Sequence, residues 1–251
     1  MGLNLATKRY VGTKDESEDR LRQRMKELAE RHKRFGLPRL HLLLRREGLV
    51  VNKKRTERVY REERLMLRRK RPKRKGSMIR VPLEPAFRKN HRWSMDFVHD
   101  SLVTGRRIKC LTIVDDFTKE LPRIEVGHSI SGFHLVRILE ELRGVTGLPE
   151  EIRSDNGPEF QSKVFLEYCL GQGINLRFTR PGKPTDNSFI ESLNGKFRDE
   201  CLNESCFLNL EDAKEKIETW REFYNRERPH SSLQGLAPEE FARQEEYRLT
   251  A

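Results

Sequence analysis

The chain has 251 residues, 35 % of them hydrophobic and 36 % charged, with a formal net charge of +12. That length allows one sizeable domain and a smaller one, and the sequence has no apolar run long enough for a membrane span and no signal-peptide hydrophobic stretch. The charge is lopsided: residues 1–90 hold 29 Lys and Arg against 11 Asp and Glu, while residues 91–251 hold 22 against 28, the pattern of a nucleic-acid-gripping part joined to a part with another task.

Leu21, Met25, Leu28 and Ala29 predict a helix from Glu16 to about Arg34, stopped by Gly36. Pro38 starts a second helix with Leu40, Leu43 and Leu44 facing inward, and Gly48 closes it. Asn52 caps a third, from Lys53 to about Lys70, with Val59, Leu65 and Leu67 among basic residues. Two short helices, a turn and a basic third helix predict a small helix-turn-helix-like unit over residues 1–67. Residues 68–88 read as a basic linker. Arg69, Lys70, Arg71, Lys73, Arg74 and Lys75 repel one another, and Pro72 and Gly76 break helix. Against DNA such a segment gives salt-dependent, sequence-blind affinity through counterion release.

A different periodicity begins at Trp93. Trp93, Met95 and Phe97 alternate with Ser94, Asp96 and Val98, the pattern of a strand. Arg107–Phe117 predicts a second strand and Leu121–Val126 a third, forming an antiparallel meander. Ser131 caps a helix running to about Arg143. Glu151–Ser154 is a short strand leading into Asp155-Asn156-Gly157, followed by a helix with Phe160, Val164, Phe165, Tyr168 and Cys169, then a strand at Ile174–Phe178. The next stretch, 181–203, opens with Pro181, Gly182 and Pro184, and Thr185 or Asp186 can cap the helix after them. The order β-β-β-α-β-α-β-α predicts an α/β domain over 89–203. Its fold would be ribonuclease H-like, a mixed five-stranded sheet with flanking helices. Residues 204–251 read as a C-terminal helical extension of that core. Leu210, Ala213, Ile217, Trp220, Phe223 and Tyr224 make an apolar stripe from about Glu211 to Glu227, and Pro238 opens a last short helix.

In the helix after Pro184, Asn187, Glu191, Asn194 and Arg198 fall on one face, and Ile190, Leu193 and Phe197 on another. The fold would bring Glu191 toward Asp96 on the first strand and Asp155 at the end of the fourth. Three carboxylates in one place repel one another. A divalent cation relieves that repulsion, and hard oxygen ligands suit Mg²⁺. Each residue taken singly also fits a plainer role: Asp96 as a solvent-facing strand residue, Asp155 as part of a tight turn, Glu191 as part of a solvated helix face. Asp115 and Asp116 are rival carboxylates at the end of the second strand. Cys110, Cys169, Cys201 and Cys206 form no Cys-x-x-Cys pair and do not meet the seven histidines at zinc spacing. They read as reduced thiols of a cytosolic protein without a structural zinc.

Asp96, Asp155 and Glu191, with 58 and then 35 residues between them, resemble the D-D-35-E pattern of retroviral integrases and DDE transposases. The surrounding words narrow the likeness: Trp93-Ser-Met-Asp96-Phe, Ser154-Asp155-Asn-Gly-Pro-Glu-Phe160, Pro181-Gly-Lys-Pro, Asn187-Ser-Phe-Ile-Glu191-Ser, Phe197-Arg-Asp-Glu-Cys-Leu202 and Tyr224-Asn-Arg-Glu-Arg-Pro-His-Ser-Ser-Leu233. Over roughly residues 17–242 the chain resembles the second-frame (OrfB) transposases of insertion sequences of family three. The resemblance implies a bacterial, cytoplasmic, nucleoid-associated enzyme that cleaves element ends and transfers the 3′-OH strand. It implies two Mg²⁺ or Mn²⁺ ions held by Asp96, Asp155 and Glu191, and a homo-oligomer acting on element ends and target DNA. It also implies a DNA contact at Arg198, with Lys183, Lys196 and Asn187 as further candidates. The upstream helix-turn-helix and coiled coil of the family's complete transposase have no recognisable counterpart, so an upstream-frame (OrfA) product is an expected partner. Two other functions remain open from the residues alone: a non-catalytic DNA-binding regulator of transposition, and a ribonuclease H-type nuclease without joining activity.

Overall fold

A computed structural model describes residues 16–67, 84–179 and 188–250. Contacts divide the chain into two units, Met1–Arg74 and Lys75–Ala251.

In the first unit three helices enclose a small core: α1 (Glu16–Arg31), α2 (Leu37–Arg46) and α3 (Lys53–Glu62). Leu21, Met25, Leu40, Leu44 and Val59 are fully buried there. Pro38 lies in the first turn of α2, where a missing N–H costs nothing. The Asn52 side chain caps α3 by accepting the Lys54 N–H at 2.9 Å. The helix stops at Glu62 instead of continuing to about Lys70. Arg64 adopts a left-handed φ of 54°, and Leu65 N–H turns back to the Tyr60 carbonyl at 3.2 Å, closing the helix end. Leu65 and Leu67 therefore fall beyond α3. Similarly, α1 ends at Arg31, three residues before the expected Arg34. Several basic side chains here are paired: Arg22 meets Glu18, Glu62 and Glu63, and Arg58 meets Glu18. Hydrogen bonds from Arg58 and Arg22 pull the Glu18 carboxyl down to about 2.

The second unit is built on a five-stranded sheet in the order β3-β2-β1-β4-β5. The strands are β1 (Arg92–Ser101), β2 (Arg107–Asp115), β3 (Arg123–Gly127), β4 (Glu151–Ser154) and β5 (Asn175–Phe178). β1 is central. It pairs antiparallel with β2, from Trp93 opposite Asp115 to Ser101 opposite Arg107, and parallel with β4, from Arg92 beside Glu151 to Ser94 beside Arg153. The period of two sends Trp93, Met95 and Phe97 toward a core shared with α4 (Gly132–Arg143) and α5 (Lys163–Gly171). The opposite face sends Val98 toward α6 (Ser188–Glu200) and α7 (Leu210–Arg226). Ile190, Leu193 and Phe197, the apolar face expected of the Glu191 helix, are 0 %, 2 % and 0 % exposed. Their burial fixes which side of α6 remains outward.

The start of α4 has the expected Ser131 cap, in a box with the His134 side chain. β3 begins at Arg123, two residues after the expected Leu121. Both backbone groups of Leu121 are taken by the Asn225 side chain, at 2.8 and 3.0 Å. Asn225 belongs to the Tyr224–His230 motif, in which Tyr224, Asn225, Arg228 and His230 are buried. Tyr224 joins the core, the buried Arg228 clasps Glu200 at the end of α6, and His230 meets the Tyr224 ring edge-on. The last helix, α8 (Pro238–Thr250), spans 13 residues and is not short. Cys110, Cys169 and Cys201 are buried, and burial pushes each thiol up to about 12. Cys206 is exposed.

Candidate active site

Asp96 lies mid-strand on β1, two residues before Val98, so the pleat aims it at the α6 side of the sheet. Its cross-strand partner on β2 is Thr112. The Asp96 carboxylate is half-buried. Oδ1 accepts the Phe97 N–H at 2.8 Å, and Oδ2 accepts the Asn194 amide at 2.7 Å. The Thr112 hydroxyl lies 2.9 Å from Asn194 Oδ1 and 3.2 Å from the Asp96 carbonyl. Burial raises the pKa of Asp96, and the charges of Asp155 and Glu191 raise it further, against the hydrogen bonds from Phe97 and Asn194. The charges of the other two expected carboxylates are thus both felt at Asp96.

Asp155 follows the last residue of β4 and is exposed. Its Oδ1 accepts the Gly157 N–H at 3.1 Å. Parallel pairing of β4 with β1 puts it beside the Asp96 end of the sheet. Glu191 is exposed in the first turn of α6, where the helix dipole favours a negative charge. Among the described residues no three of His, Cys, Asp or Glu form a metal cage.

Arg198 is exposed on α6, and its Nη2 donates to the His99 carbonyl at 3.2 Å. It and Asn194 both lean on β1, so the polar stripe of α6 runs along that strand. Lys196 is on the same helix and partly buried. Lys183 and Asn187 lie outside the described residues, as do the helix cap at Thr185 or Asp186 and the linker residues Arg69, Lys70, Arg71, Lys73, Arg74 and Lys75.

The two rival carboxylates have structural partners. Asp115 Oδ1 accepts the N–H groups of Phe117 and Thr118, each at 2.8 Å, and Oδ2 accepts that of Asn90 at 2.7 Å. Asp116 is buried and accepts the Ser94 hydroxyl at 2.8 Å, and burial pushes its carboxyl up to about 6. Two features of the site were not read from the sequence. One is Thr112: pairing back from the expected Ser101–Gly105 turn would set Cys110 opposite Asp96, whereas the observed register pairs Ser101 with Arg107 and so Asp96 with Thr112. The other is the Lys109–Glu159 ion pair, 2.5 Å long, whose ammonium also stands 3.8 Å from the Phe97 ring centroid.

The chain matches the family described as Integrase core domain over residues 86–184 and, in a second form, over 172–238. Residues 16–73 match an HTH-like domain. A 31.7 kDa protein of insertion element IS407 from Burkholderia multivorans is 48 % identical over 243 residues, which is 96 % of this chain and 87 % of that protein. The chain belongs to the insertion-sequence transposases with an integrase core. A 39.2 kDa relative from insertion element IS476 of Xanthomonas euvesicatoria is 45 % identical over 96 % of this transposase chain and 70 % of its own. The likeness extends in fold to a chain of the simian T-cell lymphotropic virus intasome, with a TM-score of 0.57 and 16 % identity over 87 % of this chain and 74 % of that one. The transposase thus has the ribonuclease H-like sheet of integrase cores, preceded by a helix-turn-helix-like unit. No helix among the described residues is long and apolar enough to cross a membrane.

Proposed function

We propose that this transposase cleaves the ends of a bacterial insertion element and joins the freed 3′-hydroxyl to target DNA, with Asp96, Asp155 and Glu191 as the catalytic carboxylates. The observation that carries this reading is the half-buried Asp96 carboxylate, bonded to Asn194 on the helix of Glu191 and raised in pKa by burial and by the charges of Asp155 and Glu191. Mutual repulsion among three oxygen-donor side chains fits a pair of Mg²⁺ or Mn²⁺ ions. When bound, such ions polarise a phosphodiester and lower the pKa of an attacking water or 3′-hydroxyl.

The chain's own residues hold and orient. Asp96 is fixed by the strand and by two hydrogen bonds, so it serves as the rigid member of the triad. Glu191 rides on α6 and Asp155 on the turn after β4. Arg198 and Lys196, with Lys183 and Asn187 just before α6, would grip backbone phosphates. The helix-turn-helix-like unit and the basic residues Arg69, Lys70, Arg71, Lys73, Arg74 and Lys75 would add affinity that falls with salt. Two element ends must be cut and joined together, so at least two copies act in one assembly, with an upstream-frame product as protein partner.

The test is to incubate labelled element ends and Mg²⁺ with the purified chain, alone and with the upstream product. Joined or circular DNA is expected. Asp155→Asn and Glu191→Gln are expected to abolish cleavage and joining while DNA binding survives. Full strand transfer by either variant would sink the triad. Hydrolysed strands alone would indicate a nuclease, and binding without processing would indicate a regulator.

A further inference from the structure

Close to the triad, one half-buried cation has no part in the chemistry above. Lys119 sits in the turn after β2 with φ of 63°, a left-handed conformation that residues with a Cβ seldom adopt. Its ammonium stands 3.7 Å from the centroid of the Phe189 ring and donates to the Asp116 carbonyl. Burial lowers the Lys119 pKa, while the charges of Asp116 and Asp115 act the other way. Asp116 is buried, bonded to Ser94 through one oxygen, with no partner for the other among the described residues. Ser94 is two residues before Asp96 on the same face of β1. Phe189 is the second residue of α6, two before Glu191. A run of contacts therefore joins the Asp96 strand to the first turn of the Glu191 helix.

That turn has a particular need for an anchor. The first N–H groups of a helix lack partners within it, and helix ends open first. Ile190, Leu193 and Phe197 hold α6 to the sheet by its apolar face, and Asn194 and Arg198 bond to β1 beyond the first turn. A contact from a second direction limits rotation about the helix axis, and that rotation sets where Glu191 points. An aliphatic side chain at position 119 could cover the ring equally well. Only a cation is drawn to the electron-rich ring face while also donating to the Asp116 carbonyl.

We propose that Lys119 is a positioning residue: held by Asp116, its ammonium pins Phe189 and so directs Glu191 toward Asp96. The proposal rests on Glu191 being a catalytic carboxylate, so the test reads the anchor and the carboxylate separately. In the full chain, hydrogen exchange over residues 189–193 is compared among wild type, Lys119→Met, Lys119→Arg, Phe189→Leu and the Met/Leu double variant. Mn²⁺ affinity is measured on the same proteins by electron paramagnetic resonance, with Glu191→Gln as reference. Lys119→Met and Phe189→Leu are each expected to speed exchange in that turn about 5-fold, within the range of a cation–π contact. Mn²⁺ binding should weaken by a similar factor, the double variant should match either single one, and Lys119→Arg should stay near wild type. Unchanged exchange in Lys119→Met overturns the anchor. Faster exchange with unchanged Mn²⁺ affinity leaves a purely structural contact and overturns the positioning role. If Glu191→Gln binds Mn²⁺ as well as wild type, the carboxylate reading has failed, and the proposal falls with it whatever the exchange shows.

Discussion

The side-chain amide of Asn194 donates to Oδ2 of Asp96 across 2.7 Å, tying the middle of α6 to the middle of β1. The bond orients one carboxylate and sets the height of the helix that carries another. Removing a group that orients a metal-binding side chain typically costs 10–100-fold in activity or metal affinity. Asn194→Ala is therefore expected to slow strand transfer by about 10–100-fold with little change in DNA affinity. Asn194→Asp should be worse, because it adds a fourth negative charge and removes the donor. Single-turnover strand transfer beside a gel-shift titration checks both.

Asp116 makes stability depend on pH. Burial raises its carboxyl from 3.8 to about 6 in the folded chain, so between those values the folded state binds more protons than the unfolded one. Stability from this group is greatest below about pH 4 and declines as pH rises through about 6. Asp116→Asn keeps an oxygen for the Ser94 hydroxyl and carries no charge. It should lose this decline and gain roughly 3 kcal/mol over wild type at pH 7.5. Urea denaturation at several pH values decides it, and parallel curves for the two proteins would refute the assignment.

Arg228 is 1 % exposed and clasps Glu200 through two hydrogen bonds of 2.7 and 2.6 Å. Truncating one partner of a buried pair strands the other charge. Arg228→Ala is expected to destabilise the catalytic unit by about 3–5 kcal/mol. Replacing both partners with apolar residues, Arg228→Met with Glu200→Leu, should recover most of that loss. Denaturant midpoints of the three proteins give the comparison.

The sheet, and the elements that carry Asp96, Asp155 and Glu191, could be read from the sequence because local patterns determine them. Alternation through Trp93–Val98 fixed which face Asp96 takes, and the 3.6-residue repeat of Ile190, Leu193 and Phe197 fixed which way Glu191 points. What escaped depended on partners distant in the chain. β3 starts late because Asn225, 104 residues away, takes the backbone of Leu121. The end of α3 depends on a left-handed Arg64, and neither Gly nor Asn marks that position. Asp116 looked like a rival ligand because sequence shows a carboxylate but not its burial. The Tyr224–His230 motif carried the family likeness without its reason, which is packing: Asn225 holds a strand end and Arg228 a helix end.

The uneven burial of the four cysteines has a practical consequence. Thiolates are the reactive form, and Cys110, Cys169 and Cys201 are held inside as thiols, whereas Cys206 faces solvent. A maleimide dye should therefore couple to the natural sequence at one place, with no cysteine added or removed. That place adjoins the β1–β2 hairpin, where Val103 N–H donates to the Phe207 carbonyl at 2.9 Å. Chains labelled separately with donor and acceptor dyes and then mixed would report, by energy transfer, the moment two copies meet on DNA.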